Sequence, residues 1–156
     1  MGYKASELAA ERLGISLDRA RDEEIVCVAE NDACGLDCIQ YLLSCTVGKG
    51  NLILRIHGKS AYSFFDRRTG RSVRLIAKPF DRDAYTREEL MESLLSAPAE
   101  EVFDVGTPGF ELSEKARIFG NKTCENCGES AREDLVRFQD GRIVCLGCFK
   151  GYDRGW

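Results

Sequence analysis

The sequence predicts an α+β protein: a mixed or antiparallel sheet with packed helices, followed by a small C-terminal treble-clef or zinc-ribbon module. Three observations carry that reading. Helical and strand-like periodicities alternate through the first part of the chain. Short turn signals then separate three alternating apolar segments. Near the C-terminus two cysteine pairs, Cys124-Glu-Asn-Cys127 and Cys145-Leu-Gly-Cys148, are separated by 17 residues. Each pair brings two sulfurs onto one tight turn, and together they close a tetrahedron around Zn²⁺ with no open position for a substrate.

Ala5 to Leu13 places Leu8, Ala9 and Leu13 along one helical face and ends at Gly14, a good C-cap. Glu24 to Glu30 reads as a strand, with β-branched Ile25, Val26 and Val28. Asn31 and Asp32 are caps for a second helix to about Cys45, densely apolar through Leu36, Cys38, Ile39, Leu42 and Leu43. A loop, Thr46 to Asn51, leads into a meander of strands at Leu52–Ile56, Ala61–Phe65 and Ser72–Ile76. Its turns at His57-Gly58-Lys59 and Arg68-Thr69-Gly70-Arg71 are short enough for hairpins. Thr86-Arg-Glu-Glu89 is a capping box opening a third helix through about Leu95, and Pro98 stops it. Val102 to Val105 reads as a further strand. Gly106-Thr-Pro-Gly109 is the linker, dividing residues 1–110 from a zinc-binding module at 111–156. Within that module Asp134–Phe138 and Arg142–Val144 flank a hairpin turn at Gln139-Asp140-Gly141. A short helix from Phe149 would complete the treble-clef order, and its absence would leave a plain ribbon.

Composition narrows the function classes. The chain has 156 residues, 44% hydrophobic and 31% charged, ordinary for one modest domain with a small satellite. No apolar run approaches the roughly 18–20 residues that span a bilayer, and Met1-Gly2-Tyr3-Lys4 lacks the apolar core of a secretion signal. No membrane association is expected. Of the 8 cysteines, four have metal spacing and the others sit in or beside apolar segments, which fits a reducing cytoplasm. Net charge is −4, and residues 111–156 carry equal numbers of basic and acidic side chains. Nucleic-acid binders usually show a basic face, so DNA or RNA is disfavoured as a partner.

A second constellation lies in the first domain. Cys34 and Cys38 stand at i and i+4, hence on one helical face, with Asp37 beside Cys34 at i+3. Free cysteine is often a small buried hydrophobe, which suits Cys27 and Cys38. Cys34 differs, because it falls near a helix N-terminus, where unpaired amides favour negative charge. That position suits a metal ligand or a redox thiol. Cys45 lies three turns further on, too far to share a metal with Cys34 unless the helix ends early. Gly48-Lys49-Gly50 follows a helix and precedes a strand, the reverse of a phosphate loop, and reads as a tight turn needing positive φ. His57, the single histidine, is expected to be exposed in its turn, so a Ser/His/Asp or Cys/His catalytic set is poorly supported.

The run Glu30-Asn-Asp-Ala-Cys34-Gly-Leu-Asp37-Cys-Ile-Gln40, then Cys45-Thr46-Val-Gly48-Lys49-Gly50-Asn51-Leu52, resembles the FmdE family. These are the FmdE subunits of formylmethanofuran dehydrogenase and their stand-alone relatives. The Gly58-Lys59-x-Ala61 turn and the C-terminal module agree, and the resemblance covers essentially the whole chain. It implies an α+β N-terminal domain with a zinc module. The dehydrogenase itself is a molybdenum or tungsten enzyme that reduces CO₂ onto methanofuran in methanogenesis, with its catalytic subunits on other chains. One departure stands out. Relatives carry His-Gly-His-x-Cys-Pro-Gly just before a Gly-Tyr-Arg/Lys-Ala helix, which here is Gly2-Tyr3-Lys4-Ala5. Those residues, with a cysteine matching Cys34, resemble a second metal site; the motif would lie upstream of Met1, and within the given sequence Cys34 keeps at most Asp37 or a neighbouring cysteine as partner. Ser44, where relatives often have Gly, and Cys38, where they often have Ala, are milder changes.

The functional expectation is a metal-binding accessory protein or subunit, non-catalytic alone, with one structural zinc at Cys124, Cys127, Cys145 and Cys148. Its partners would be molybdenum or tungsten enzyme subunits, other redox proteins or a second copy in a homodimer. The alternatives are a stand-alone metal or redox protein and a zinc-module adaptor between proteins. The first of these would use Cys34 with a second transition metal, Asp37, Cys45 and Lys49 lining the pocket.

Overall fold

The computed structural model describes residues 1–17 and 22–152, which divide into two units, Met1–Ala116 and Arg117–Trp156. The first unit begins with α1 (Gly2–Leu13), which ends where Gly14 turns left-handed at φ 69° and donates back to the Ala10 and Glu11 carbonyls. Its buried stripe is Gly2, Ala5, Ser6, Leu8, Ala9, Ala10 and Leu13. The helix starts three residues earlier than its apolar periodicity suggests, because Gly2 is itself a contact residue. A Cβ built on Gly2 would lie 1.8 Å from the Gly35 carbonyl oxygen, so the backbones of α1 and the next helix touch there.

Strand β1 (Ile25–Ala29) is buried along its whole length. Helix α2 (Gly35–Leu43) is shorter at both ends than the expected Asn31-to-Cys45 span. Asn31 is not its cap. The Asn31 side chain accepts the Ala33 amide at 3.1 Å and donates to the Lys59 carbonyl at 2.9 Å, a local turn that pins the end of β1. Cys34 takes the cap position instead, and Ser44 ends the helix in the left-handed region at φ 54°.

The five-stranded sheet has the order β2-β1-β3-β4-β5, from β2 (Leu52–Leu54), β3 (Ala61–Asp66), β4 (Ser72–Ala77) and β5 (Phe103–Gly106). The expected β2–β3 hairpin does not form. Helix α2 carries the chain back over the sheet, so β2 enters parallel to β1 on its outer edge, while β3 pairs antiparallel on the other side. The His57-Gly-Lys59 turn therefore crosses the end of β1, and the His57 and Lys59 amides both donate to the Glu30 carbonyl, at 2.9 and 3.2 Å. The β3–β4 hairpin forms as expected around Gly70. Helix α3 (Arg87–Ser96) carries the full Thr86–Glu89 capping box, and α4 (Ala99–Val102) leads into β5.

One face of the sheet packs against the helices through Leu8, Leu13, Ile39, Leu43, Phe64, Leu75 and Phe103. Each such side chain contributes about 1.5–3 kcal/mol by leaving water. The opposite face presents Val26, Val28 and Phe65, against which Ile53, Phe110 and Leu112 pack. Arg55 lies 4.2 Å from the Phe110 ring centroid, and Arg67 donates to the Ser113 and Glu114 carbonyls. Residues 110–116 thus belong to the first unit, past the linker read at Gly106–Gly109, because they cover an apolar sheet face.

Two polar side chains inside this unit hold the crossover. The Asn51 amide is fully buried, donating to the Ile25 carbonyl at 2.9 Å and the Ser44 carbonyl at 3.3 Å while its oxygen accepts the Thr46 amide at 2.8 Å. The Glu30 carboxylate meets Arg74 at 2.7 Å and His57 Nδ1 at 3.4 Å. Burial alone would raise the Glu30 pKa, but hydrogen bonds from Arg74 and then His57 outweigh it and leave the group below its usual range. Hydrogen bonding from Arg68 does the same for buried Asp66.

Asn51→Ala leaves three backbone groups without their partner and should cost roughly 2–4 kcal/mol by chemical denaturation. Glu30 binds its proton less readily folded than unfolded. Its stabilisation is complete above the ordinary carboxylate range, about pH 4, and is lost as pH falls through that range to the lowered folded value. Denaturation across pH should show the stability gap between wild type and Glu30→Gln closing in that acid window.

Candidate metal centre

The second unit is two hairpins, each delivering a cysteine pair. Strands β6 (Asn121–Thr123) and β7 (Ser130–Arg132) flank the first knuckle. There the Cys124 amide donates to the Glu129 carbonyl, Gly128 donates back to the Cys124 carbonyl, and Gly128 takes φ 77°. Strands β8 (Val136–Gln139) and β9 (Arg142–Cys145) meet at Asp140 and Gly141, both left-handed, the combination a two-residue hairpin turn requires. The second knuckle follows, with the Cys148 and Phe149 amides donating to the Cys145 carbonyl at 3.0 and 2.9 Å. Glu125 ties the hairpins together, its amide donating to the Ile143 carbonyl and its carboxylate accepting the Ile143 amide.

All four sulfurs lie within 4.8 Å of one another, and Cys127 and Cys145 Sγ are 4.0 Å apart. Tetrahedral zinc with Zn–S bonds of about 2.3 Å needs sulfurs about 3.8 Å apart, so the donor set fits the ion. The amides of Cys127, Cys145 and Asn126 aim at the Cys124 sulfur and bring its pKa down to about 6. Cys127 receives the Glu129 amide, but the neighbouring thiols, Cys124 foremost, push it up to about 12. Four crowded sulfurs hold one negative charge readily and need a cation to hold more.

The helix expected from Phe149 does not begin by Tyr152; residues 153–156 lie outside the described residues. Instead Gln139 brackets Lys150, donating to its carbonyl at 2.7 Å and accepting its amide at 2.9 Å, which holds the chain extended beside β8. The described residues thus show the ribbon order rather than the treble-clef order.

The first-unit candidates are dispersed. Cys34 is exposed at the head of α2, Asp37 is exposed one turn on, and Cys38 is half-buried. The early end of α2 turns Cys45 into the core, where its thiol faces the Ile25 carbonyl at 3.6 Å. Burial pushes Cys45 up to about 12, with the Lys49 ammonium opposing. Burial also raises Cys27 beside it. Lys49 Nζ reaches Ser44 Oγ at 3.4 Å. Cys45 and Lys49 therefore come together, apart from Cys34 and Asp37. Among the described residues the zinc-module thiols are the one group of three or more His, Cys, Asp or Glu side chains close enough to share an ion. Sequence reasoning missed the roles of Glu30 and Asn51. Glu30 was detectable as a carboxylate in phase with the buried Val26 and Val28 on the sheet face away from the helices.

A two-unit protein emerges, an α+β sheet unit joined to a four-cysteine zinc-binding unit. Residues 1–104 match the family described as FmdE, molybdenum formylmethanofuran dehydrogenase operon, and the chain belongs to that family. Residues 117–154 match the prokaryotic dksA/traR C4-type zinc finger. The chain is 29% identical over 182 residues to a probable S-adenosyl-L-methionine-binding protein of Archaeoglobus fulgidus, covering 97% of this chain and 48% of that one. It thus spans about half the length of that relative. The fold matches the crystal structure of a tungsten formylmethanofuran dehydrogenase FmdE-like protein from Syntrophus aciditrophicus. The TM-score is 0.68 at 22% identity, over 94% of this chain and 79% of that one. Among the described residues no helix is long and apolar enough to cross a membrane.

Structural zinc bound by units this small typically supplies much of their folding free energy, on the order of 10 kcal/mol. Chelation or Cys124→Ser should abolish hydrogen-exchange protection across residues 117–152 while β1, β3 and β4 stay protected.

Proposed function

We propose that this chain is a non-catalytic accessory protein or subunit of a molybdenum or tungsten formylmethanofuran dehydrogenase or a related redox assembly, with one structural zinc. The observation that carries the structural role of the metal is the closed donor set. Four thiols from two knuckles fill a tetrahedral shell, which leaves no position for water or substrate. Zinc would be held by Cys124, Cys127, Cys145 and Cys148, and the residues around them order backbone rather than bind a ligand. The family's description, which names a molybdenum formylmethanofuran dehydrogenase operon, supports the choice of assembly. Eight free thiols in one chain support a reducing cytoplasmic setting.

Purification of the tagged chain at native expression tests the partner. Co-elution of large molybdenum- or tungsten-containing subunits at fixed stoichiometry is expected, and a monodisperse homodimer free of them would overturn the reading. Metal analysis of the isolated chain should give about one zinc, unchanged by Cys34→Ala.

A further inference from the structure

Cys34 and Cys38 are the thiols that neither the zinc cluster nor the core accounts for. The cap residue of α2 and the residue one turn later lie on the same side of the helix, where Cβ atoms stand about 5–6 Å apart. Side-chain rotation brings the two thiols toward one another on that side of the helix.

The surroundings differ from those of Cys27 and Cys45. Cys34 is exposed and Cys38 half-buried, so the pair opens to solvent. The Tyr62 hydroxyl comes up beneath it, 2.8 Å from where a Gly35 Cβ would stand, and it pairs with the Asn31 side chain. Burial raises the Tyr62 pKa, a hydrogen bond with Asn31 opposes it, and Cys27, Cys34 and Cys38 raise it further. Gly35 is what lets the tyrosine reach this position. With no third cysteine, histidine or carboxylate close enough to join them among the described residues, the pair suits a soft ion that two thiolates satisfy.

We propose that Cys34 and Cys38 form an accessible dithiol site for a soft, thiophilic metal or metalloid ion that bridges the two sulfurs. Capture involves no oxidation. Each thiol gives up one proton as its sulfur bonds to the ion. With an arsenic(III) oxide group the two S–As bonds replace the As=O bond, and the oxygen leaves as water with the two protons. The site goes beyond the accessory role above and does not depend on it.

Phenylarsine oxide, which forms stable rings with two neighbouring thiols, is the probe. One equivalent is added to the zinc-loaded full chain and followed by non-denaturing mass spectrometry with peptide mapping. The expected product carries one phenylarsenic bridging Cys34 and Cys38 with zinc retained, resists excess monothiol, and is reversed by a dithiol. Cys34→Ala and Cys38→Ala should each weaken binding at least about 100-fold through loss of the ring. The milder Cys38→Ser should do the same, and unchanged hydrogen-exchange protection of β1, β3 and β4 will show that the first unit of each variant is folded. No adduct, an equally stable adduct in Cys38→Ala, or an adduct formed with loss of zinc would overturn the site.

Discussion

The buried amide of Asn51 is the constraint on which the first unit depends. It joins the start of β1, the end of α2 and the loop before β2 through three backbone groups that otherwise have no water to replace their partner. Those contacts make the crossover from β1 to a parallel β2 a single geometry. Once it is fixed, Cys45 and Lys49 turn inward beside Cys27, and the head of α2 is left at the opposite end of the helix. The Gly2–Gly35 contact then brings α1 against that head without room for a side chain.

The eight thiols are sorted by this arrangement into three environments. Four converge in the second unit, where they fit zinc. Cys27 and Cys45 are fully enclosed, and burial keeps them protonated and inert. Cys34 and Cys38 face outward on α2. Closed four-thiol sites are of the kind that order chains too short to build their own core, so the most conspicuous motif says least about chemistry. The accessible thiols of the first unit lie toward the head of α2, where the Tyr62 hydroxyl reaches up to Gly35.

Local chemistry was legible wherever the signal and its partner lie close in sequence. The Thr86–Glu89 capping box, the Gly14 cap, the β3–β4 turn and the two cysteine knuckles all read correctly, since each is closed by residues a few positions apart. The β2–β3 pairing did not. His57-Gly-Lys59 has the composition of a hairpin turn, but the strand beside β3 is decided by β1, whose five buried residues take the interior position between β2 and β3. The end of α2 was also hidden, because serine at a left-handed position carries no signal comparable to glycine. Residues 111–116 read as the edge of the zinc module, and only the apolar outer face of β1 and β3 explains why they pack with the first unit.

The central claim is that one fold sorts these cysteines into two that stay open to reagents and six that zinc or burial withholds. Alkylation kinetics of the native, zinc-loaded chain measure it directly, with each site resolved by peptide mapping. The account predicts fast modification of Cys34, slower modification of Cys38, and protection of the other six by zinc or by burial. Modification of Cys45 as fast as that of Cys34, or of the four zinc-module cysteines while zinc remains bound, would contradict it.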